Sequence, residues 1–275
     1  MTKFLQNAFV LLMAPAAAAL LLTATAWPVR AETLKDWKCT GNPDIPWDDQ
    51  IAGCTDAFKS GRFAGPAAAA ALFDRGIAYE NKGNAANALA DYSQAIAINP
   101  QFAPAYDARA NMYQGKGDYD RAIADYDRAI ALDPKFVGAY INRGNAYHAK
   151  GDYDHALADY DLAILLNPKF APAYNGRANA YKAKGDNDRA IADYSQAIAL
   201  NPKIAMIYSN RCDSYHLKGD QDRAIADCTQ AIALDPKFAF AYANRSAAYK
   251  AKGDNDHAAA DSKMAIQLNP GLAPK

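Results

Sequence analysis

Residues 103–136 read APAYDARANMYQGKGDYDRAIADYDRAIALDPKF, and residues 137–170 read VGAYINRGNAYHAKGDYDHALADYDLAILLNPKF. Laid one over the other, the two stretches agree at a spacing of 34 residues, and the same spacing runs outward in both directions. Pro100, Pro134, Pro168, Pro202, Pro236 and Pro270 keep it, as do Gly83, Gly117, Gly151, Gly185, Gly219 and Gly253, and Tyr79, Tyr113, Tyr147, Tyr181, Tyr215 and Tyr249. Six units therefore tile residues 69–102, 103–136, 137–170, 171–204, 205–238 and 239–272, and such a period is the mark of a repeat architecture.

Each unit reads as two helices. In the second, Tyr106, Arg109, Ala110 and Tyr113 recur at helical spacing until Gly117 breaks the run. Asp118 or Asp120 can cap the next helix, whose Ala122, Ile123, Tyr126, Ala129 and Ile130 form one apolar face. Asp133-Pro134 ends it, because proline supplies no donor and disfavours helix in the residue before it. One hairpin cannot bury that face alone, so successive hairpins must stack.

Tyr140, Gly144, Tyr147, Ala156, Tyr160, Ala163 and Pro168 resemble the tetratricopeptide signature position by position, and the resemblance extends over residues 69–272. It implies an all-α, right-handed superhelical solenoid of helical hairpins. One departure is consistent: where the family usually has leucine, seven residues into the hairpin, this chain has Arg75, Arg109, Arg143, Arg177, Arg211 and Arg245. Asp91, Asp125, Asp159, Asp193, Asp227 and Asp261 recur as often on the second helix. The arginines read either as an anion-binding row or as partners of these aspartates, and the equal counts favour pairing.

The chain has 275 residues, zero formal net charge and 51% hydrophobic residues, which excludes an acidic disordered tail and a basic nucleic-acid binder. Residues 1–31 have the layout of a secretory signal: Lys3, an apolar run from Ala8 to Leu22, and small-residue cleavage sites after Ala26 or Ala31. The run is almost long enough to span a bilayer, but its alanines and the small residues that follow favour cleavage. Removing it leaves a charge of about −2 and nothing to hold a membrane. Residues 32–68 form an N-terminal segment in which 51–58 align with 225–232 of the fifth unit. This predicts a lone second helix over 48–60 that caps the first hairpin. Residues 273–275 form a tail.

Export to an oxidising compartment favours disulfides among the four cysteines. Three connectivities are open, and pairing of near neighbours, Cys39 with Cys54 and Cys212 with Cys228, is the simplest. Cys212 replaces the small residue of the first helix and Cys228 the aromatic of the second, both in one hairpin, where antiparallel helices approach most closely.

No acid, base and nucleophile converge: every recurring ionisable residue recurs at scaffold positions, so no enzyme is expected. His148 and His216 share one place in their hairpins and His155 and His257 another, two or three hairpins apart, too distant to share a metal. The Gly-Asp-Tyr-Asp turns lack calcium-loop spacing. No metal and no cofactor is expected. In the tetratricopeptide family the ligand usually lies along a concave groove lined by first helices. Carried over, the groove presents Asn111, Asn145 and Asn179 at one position, Asn142, Asn210 and Asn244 at another, and Lys182 and Lys250 further along. An amide donates and accepts, so this row suits a peptide backbone. The family's carboxylate clamp is matched only in part, since the lysine expected one turn before them in the preceding hairpin is Asp107. The expectation is a monomeric, non-catalytic scaffold for a peptide or partner protein, periplasmic or secreted in a Gram-negative bacterium. The alternative is a structural solenoid of the envelope that self-associates through its ends.

Overall fold

The computed structural model describes Cys39, residues 44–61 and residues 63–273. The signal read over 1–31 lies outside the described residues. Thirteen α-helices and no strand occur among those described: α1 (Trp47–Lys59), then the pairs α2 (Pro66–Asn81) and α3 (Ala85–Ile98), α4 (Ala103–Gly115) and α5 (Tyr119–Leu132), α6 (Val137–Lys150) and α7 (Tyr153–Leu166), α8 (Ala171–Ala183) and α9 (Asn187–Leu200), α10 (Ala205–Leu217) and α11 (Gln221–Leu234), α12 (Ala239–Ala251) and α13 (Asn255–Leu268). A 3₁₀ turn, Pro270–Leu272, follows. The fold is an all-α solenoid of helical hairpins. Its residues group into two compact units, Met1–Ala139 and Tyr140–Lys275, with the division falling inside α6.

Turn chemistry sets the helix boundaries. Gly117 takes φ +77°, a left-handed conformation that glycine adopts without a Cβ clash. Of the two candidate caps, Asp118 is the one used: its Oδ1 accepts the Arg121 N–H at 3.3 Å. Asp152, Asp186, Asp220 and Asp254 do the same in later hairpins, and Asn84 in the first. At the other end Asp133 accepts the Lys135 N–H at 3.0 Å, closing the turn that leads through Pro134. α2 begins three residues before the 34-residue frame, because Pro66 suits the first helical position and Ala67 to Ala71 favour helix.

Small residues against buried tyrosines form the core. Tyr92, Tyr126, Tyr160 and Tyr194 are fully buried, flanked by alanines such as Ala122 and Ala129. Tyr160 lies between two first helices so closely that a Cβ at Gly144 would stand 2.9 Å from its ring and one at Gly176 only 2.5 Å. A side chain at either position would have to displace the Tyr160 ring.

All six arginines pair with the aspartates sixteen residues on. Arg109 Nε and Nη2 donate to Asp125 Oδ2 and Oδ1, both at 2.7 Å, and the other five pairs repeat this fork. Such bidentate geometry is what a guanidinium and a carboxylate make best. The remaining nitrogen, Nη1, reaches back to the preceding second helix: Arg75 to Thr55, Arg109 to Ser93, Arg177 to Asp161, Arg211 to Ser195 and Arg245 to Thr229. Each of these arginines therefore ties its own hairpin together and ties it to its predecessor. Thr55 on α1 plays the part that Thr229 plays on α11, which is the cap's structural basis.

Candidate functional site

Within the unit 140–275, successive first helices touch: α8 meets α10, and α10 meets α12. They line one face together. Lys182 Nζ donates to Asp213 Oδ2 at 2.9 Å, and Asn244 Nδ2 donates to the Ser209 carbonyl and hydroxyl, each at 3.2 Å. Asn210 Nδ2 approaches Asn179 Oδ1 at 3.5 Å. The face thus gathers Asn179, Lys182, Asn210 and Asn244, with Asn142 and Asn145 half-buried on α6 and Lys250 exposed on α12. Asn111 belongs to the other unit, on α4.

The asparagines at the first of the two positions have a partner that the sequence reading did not assign. Tyr126 OH donates to Asn111 Oδ1 at 2.6 Å and Tyr160 OH to Asn145 Oδ1 at 2.7 Å, and Tyr194 OH donates likewise to Asn179 Oδ1. Burial raises the pKa of Tyr126, Tyr160 and Tyr194, so each keeps its proton. The repeats themselves carried the signal. Hairpins five and six lose both partners, with Asp213 and Cys228 in one and Ala247 and Ser262 in the other. Hairpin one has Ile77 in place of asparagine, and there Tyr92 OH turns to Glu80 Oε2 at 2.7 Å. Asp107, where a clamp lysine would stand, accepts from Asn111 Nδ2 at 3.2 Å.

Asn175 is a residue the sequence reading passed over. It lies one turn before Asn179 on α8 and is 8% exposed, against 7% for Asn179. Its Oδ1 and the Nδ2 of Asn179 are buried without a hydrogen-bond partner. The histidines serve local structure. His155 and His257 pair with the capping aspartates Asp152 and Asp254 at 2.7 and 2.8 Å, where hairpins two, four and five use arginine, and His216 pairs with Gln221. Burial lowers the pKa of His148. Among the described residues no cluster of histidine, cysteine or acidic side chains could hold a metal. The cysteines pair as Cys39–Cys54 and Cys212–Cys228, with Cα separations of 4.6 and 5.5 Å.

Family models described as tetratricopeptide repeat match residues 69–102, 137–170, 171–204 and 205–238, and one described as TPR repeat matches 110–151. The chain is a tetratricopeptide-repeat protein. Solved tetratricopeptide structures share its fold. One from Parabacteroides merdae is 25% identical, with a TM-score of 0.66 over 81% of this chain and 87% of that one. A thermophilic one from Thermus thermophilus is 26% identical, with a TM-score of 0.55 over 65% of this chain and 97% of that one. YrrB, a tetratricopeptide protein with an unusual peptide-binding site, is 23% identical, with a TM-score of 0.53 over 65% of this chain and 92% of its own, a likeness of fold alone. No curated protein matches the sequence. Tetratricopeptide-repeat proteins are generally non-catalytic scaffolds, and the fold suggests a scaffold for protein–protein interaction.

Proposed function

We propose that this tetratricopeptide-repeat protein is a non-catalytic scaffold that holds a peptide or partner protein on the face lined by its first helices. It acts in the periplasm of a Gram-negative bacterium, or is secreted from it, after cleavage following Ala26 or Ala31. The observation that carries the reading is the polar face itself: amide side chains from α6, α8, α10 and α12 converge there. Amides at that spacing suit the alternating donors and acceptors of an extended chain. Two disulfides support an oxidising compartment. Among the described residues no helix is long and apolar enough to cross a membrane. Self-association through the ends is disfavoured at α13, whose open side bears exposed Ala259, Ser262 and Lys263.

The test is photocrosslinking in the native envelope. A photoreactive residue at exposed Ala183, on the first helix α8, should give a discrete partner band, and one at exposed Gln196, on the second helix α9, should not. Partner capture from Gln196 alone would remove the reading.

A further inference from the structure

We propose that α7 pairs two copies of this chain, the exposed ridge of Leu162 and Leu165 on one packing antiparallel against the same ridge on the other. The inference is independent of the inner-face reading, because it uses a second helix and leaves the first helices of both copies open.

The ridge belongs to one repeat. Leu162 and Leu165 are 40% and 75% exposed, and with exposed Ala158 they stand at i, i+4 and i+7 along one side of α7. Elsewhere Gln94, Arg128, Gln196, Gln230 and Met264 occupy the place of Leu162, and Ala97, Ala131, Ala199, Ala233 and Gln267 that of Leu165. Hairpin three does not need the two leucines for its core, which is built from Ala156, Tyr160 and Ala163 and tied by the Arg143–Asp159 fork. Neighbouring leucines held outside the core, with Leu166 beside them, form a contact surface.

Length and charge decide what covers it. The ridge occupies residues 162–166, about 6 Å of helix, too short for a partner that must bury on the order of 1,200 Å². A two-fold axis makes the most of it, since Leu162 of each copy then meets Leu165 of the other. Exposed Asp154 and Asp161 flank the ridge towards the start of α7, and exposed Lys169 follows its end. The two acids use Oδ1 for Lys184 and Arg177, which leaves Oδ2 of each for a second cation. About an axis midway between Leu162 and Leu165, Lys169 of one copy comes level with Ala158 of the other, within about 6 Å along the helix of both acids. A parallel pairing would set acid against acid. An anionic lipid surface would meet these acids rather than a basic cluster. On α9, Gln196 and Ala199 stand in the two leucine places, so the contact is confined to α7. The pair presents two inner faces, so a ligand that carries its motif twice is held by both.

An interface this small gives a weak pair. Sedimentation equilibrium of the full chain from about 1 to about 300 µM should show monomer passing to dimer and no further. Leu162→Gln with Leu165→Ala, the residues of hairpin four, should weaken the pair at least tenfold with the Tm unchanged, and Lys169→Glu should weaken it severalfold. A photoreactive residue at Ala158, in a mixture of unlabelled and isotope-labelled chains, should join residues 151–169 of one copy to the same segment of the other. A monomer at every concentration, or a dimer that the double variant leaves intact, would overturn the proposal. A dimer indifferent to Lys169→Glu would overturn its antiparallel arrangement. Capture of a different protein from Ala158 in the native envelope, without any self-crosslink, would overturn the second copy as occupant. Binding of a monomeric chain to anionic lipid vesicles, lost in the double variant, would do the same.

Discussion

At the residue scale the arginine–aspartate fork distinguishes this chain from the usual leucine pattern. Hydrogen bonding to the aspartate raises the pKa of Arg75, Arg109, Arg177 and Arg245, so these guanidiniums remain charged throughout the accessible pH range. Removing one partner strands the other away from water. Asp125→Ala, which leaves Arg109 without its carboxylate, should therefore cost roughly 3 kcal/mol in chemical denaturation. Arg189→Ala, at the exposed cap pair, should cost clearly less. Asp74 behaves in the opposite way. Burial raises its carboxyl to about 7, so the folded chain holds a proton that the unfolded chain releases near pH 4. Its contribution is full below the unfolded pKa and is lost as pH rises from about 4 through about 7. Asp74→Asn should raise the Tm at pH 8, leave it nearly unchanged at pH 4, and flatten the profile between; equal shifts at both pH values would contradict this. The arginine pairing was legible because six arginines met six aspartates at a constant spacing. The third arginine contact was not, since its receiver varies among Thr55, Ser93, Asp161, Ser195 and Thr229, and no single residue type marks the position.

At the element scale the hairpins differ in how each fills the space beside its second helix. Hairpins one to four use a tyrosine whose hydroxyl needs an acceptor, supplied by Glu80 or by the asparagine row. Hairpin five uses a disulfide, and both of its cysteines are fully buried. On the chain-entropy account a loop of this size contributes about 3 kcal/mol. Reduction of the exported protein should lower the protection of α10 and α11 in hydrogen exchange more than that of α8 and α9. Peptide mapping after trypsin, which cuts at Arg211, Lys218 and Arg223, should show the two cysteine peptides linked; alkylated and unlinked peptides from unreduced protein would rule the bridge out. Hairpin six has no large side chain at the place in question, and Ser262 is exposed there, where four tyrosines are buried. Ser262→Tyr with Ala259→Ile should therefore promote concentration-dependent association in sedimentation, and a monomer at every concentration would count against that account. The helix pairs and their turns were readable from Pro, Gly and Tyr periods. The acceptor role of the asparagines was harder to see, because tyrosine and asparagine lie fifteen residues apart across a turn, and the signal is their joint loss from hairpins five and six.

At the scale of the whole molecule the repeats build two kinds of surface. The outer helices carry one irregularity: Leu162 and Leu165 on α7 are 40% and 75% exposed, where the equivalent residues are mostly glutamine or alanine. The inner face differs in kind, since its side chains are amides, lysines and Asp213, largely held in place by contacts already made in the folded chain. Preorganisation of this sort favours binding without rearrangement of the scaffold. The account's central claim is that the partner sits on first helices. Hydrogen exchange of the full chain, alone and with the partner that crosslinks at Ala183, measures this directly. The account predicts added protection on α6, α8, α10 and α12 with the second helices unchanged; protection centred on α7, α9 or α11 would contradict it.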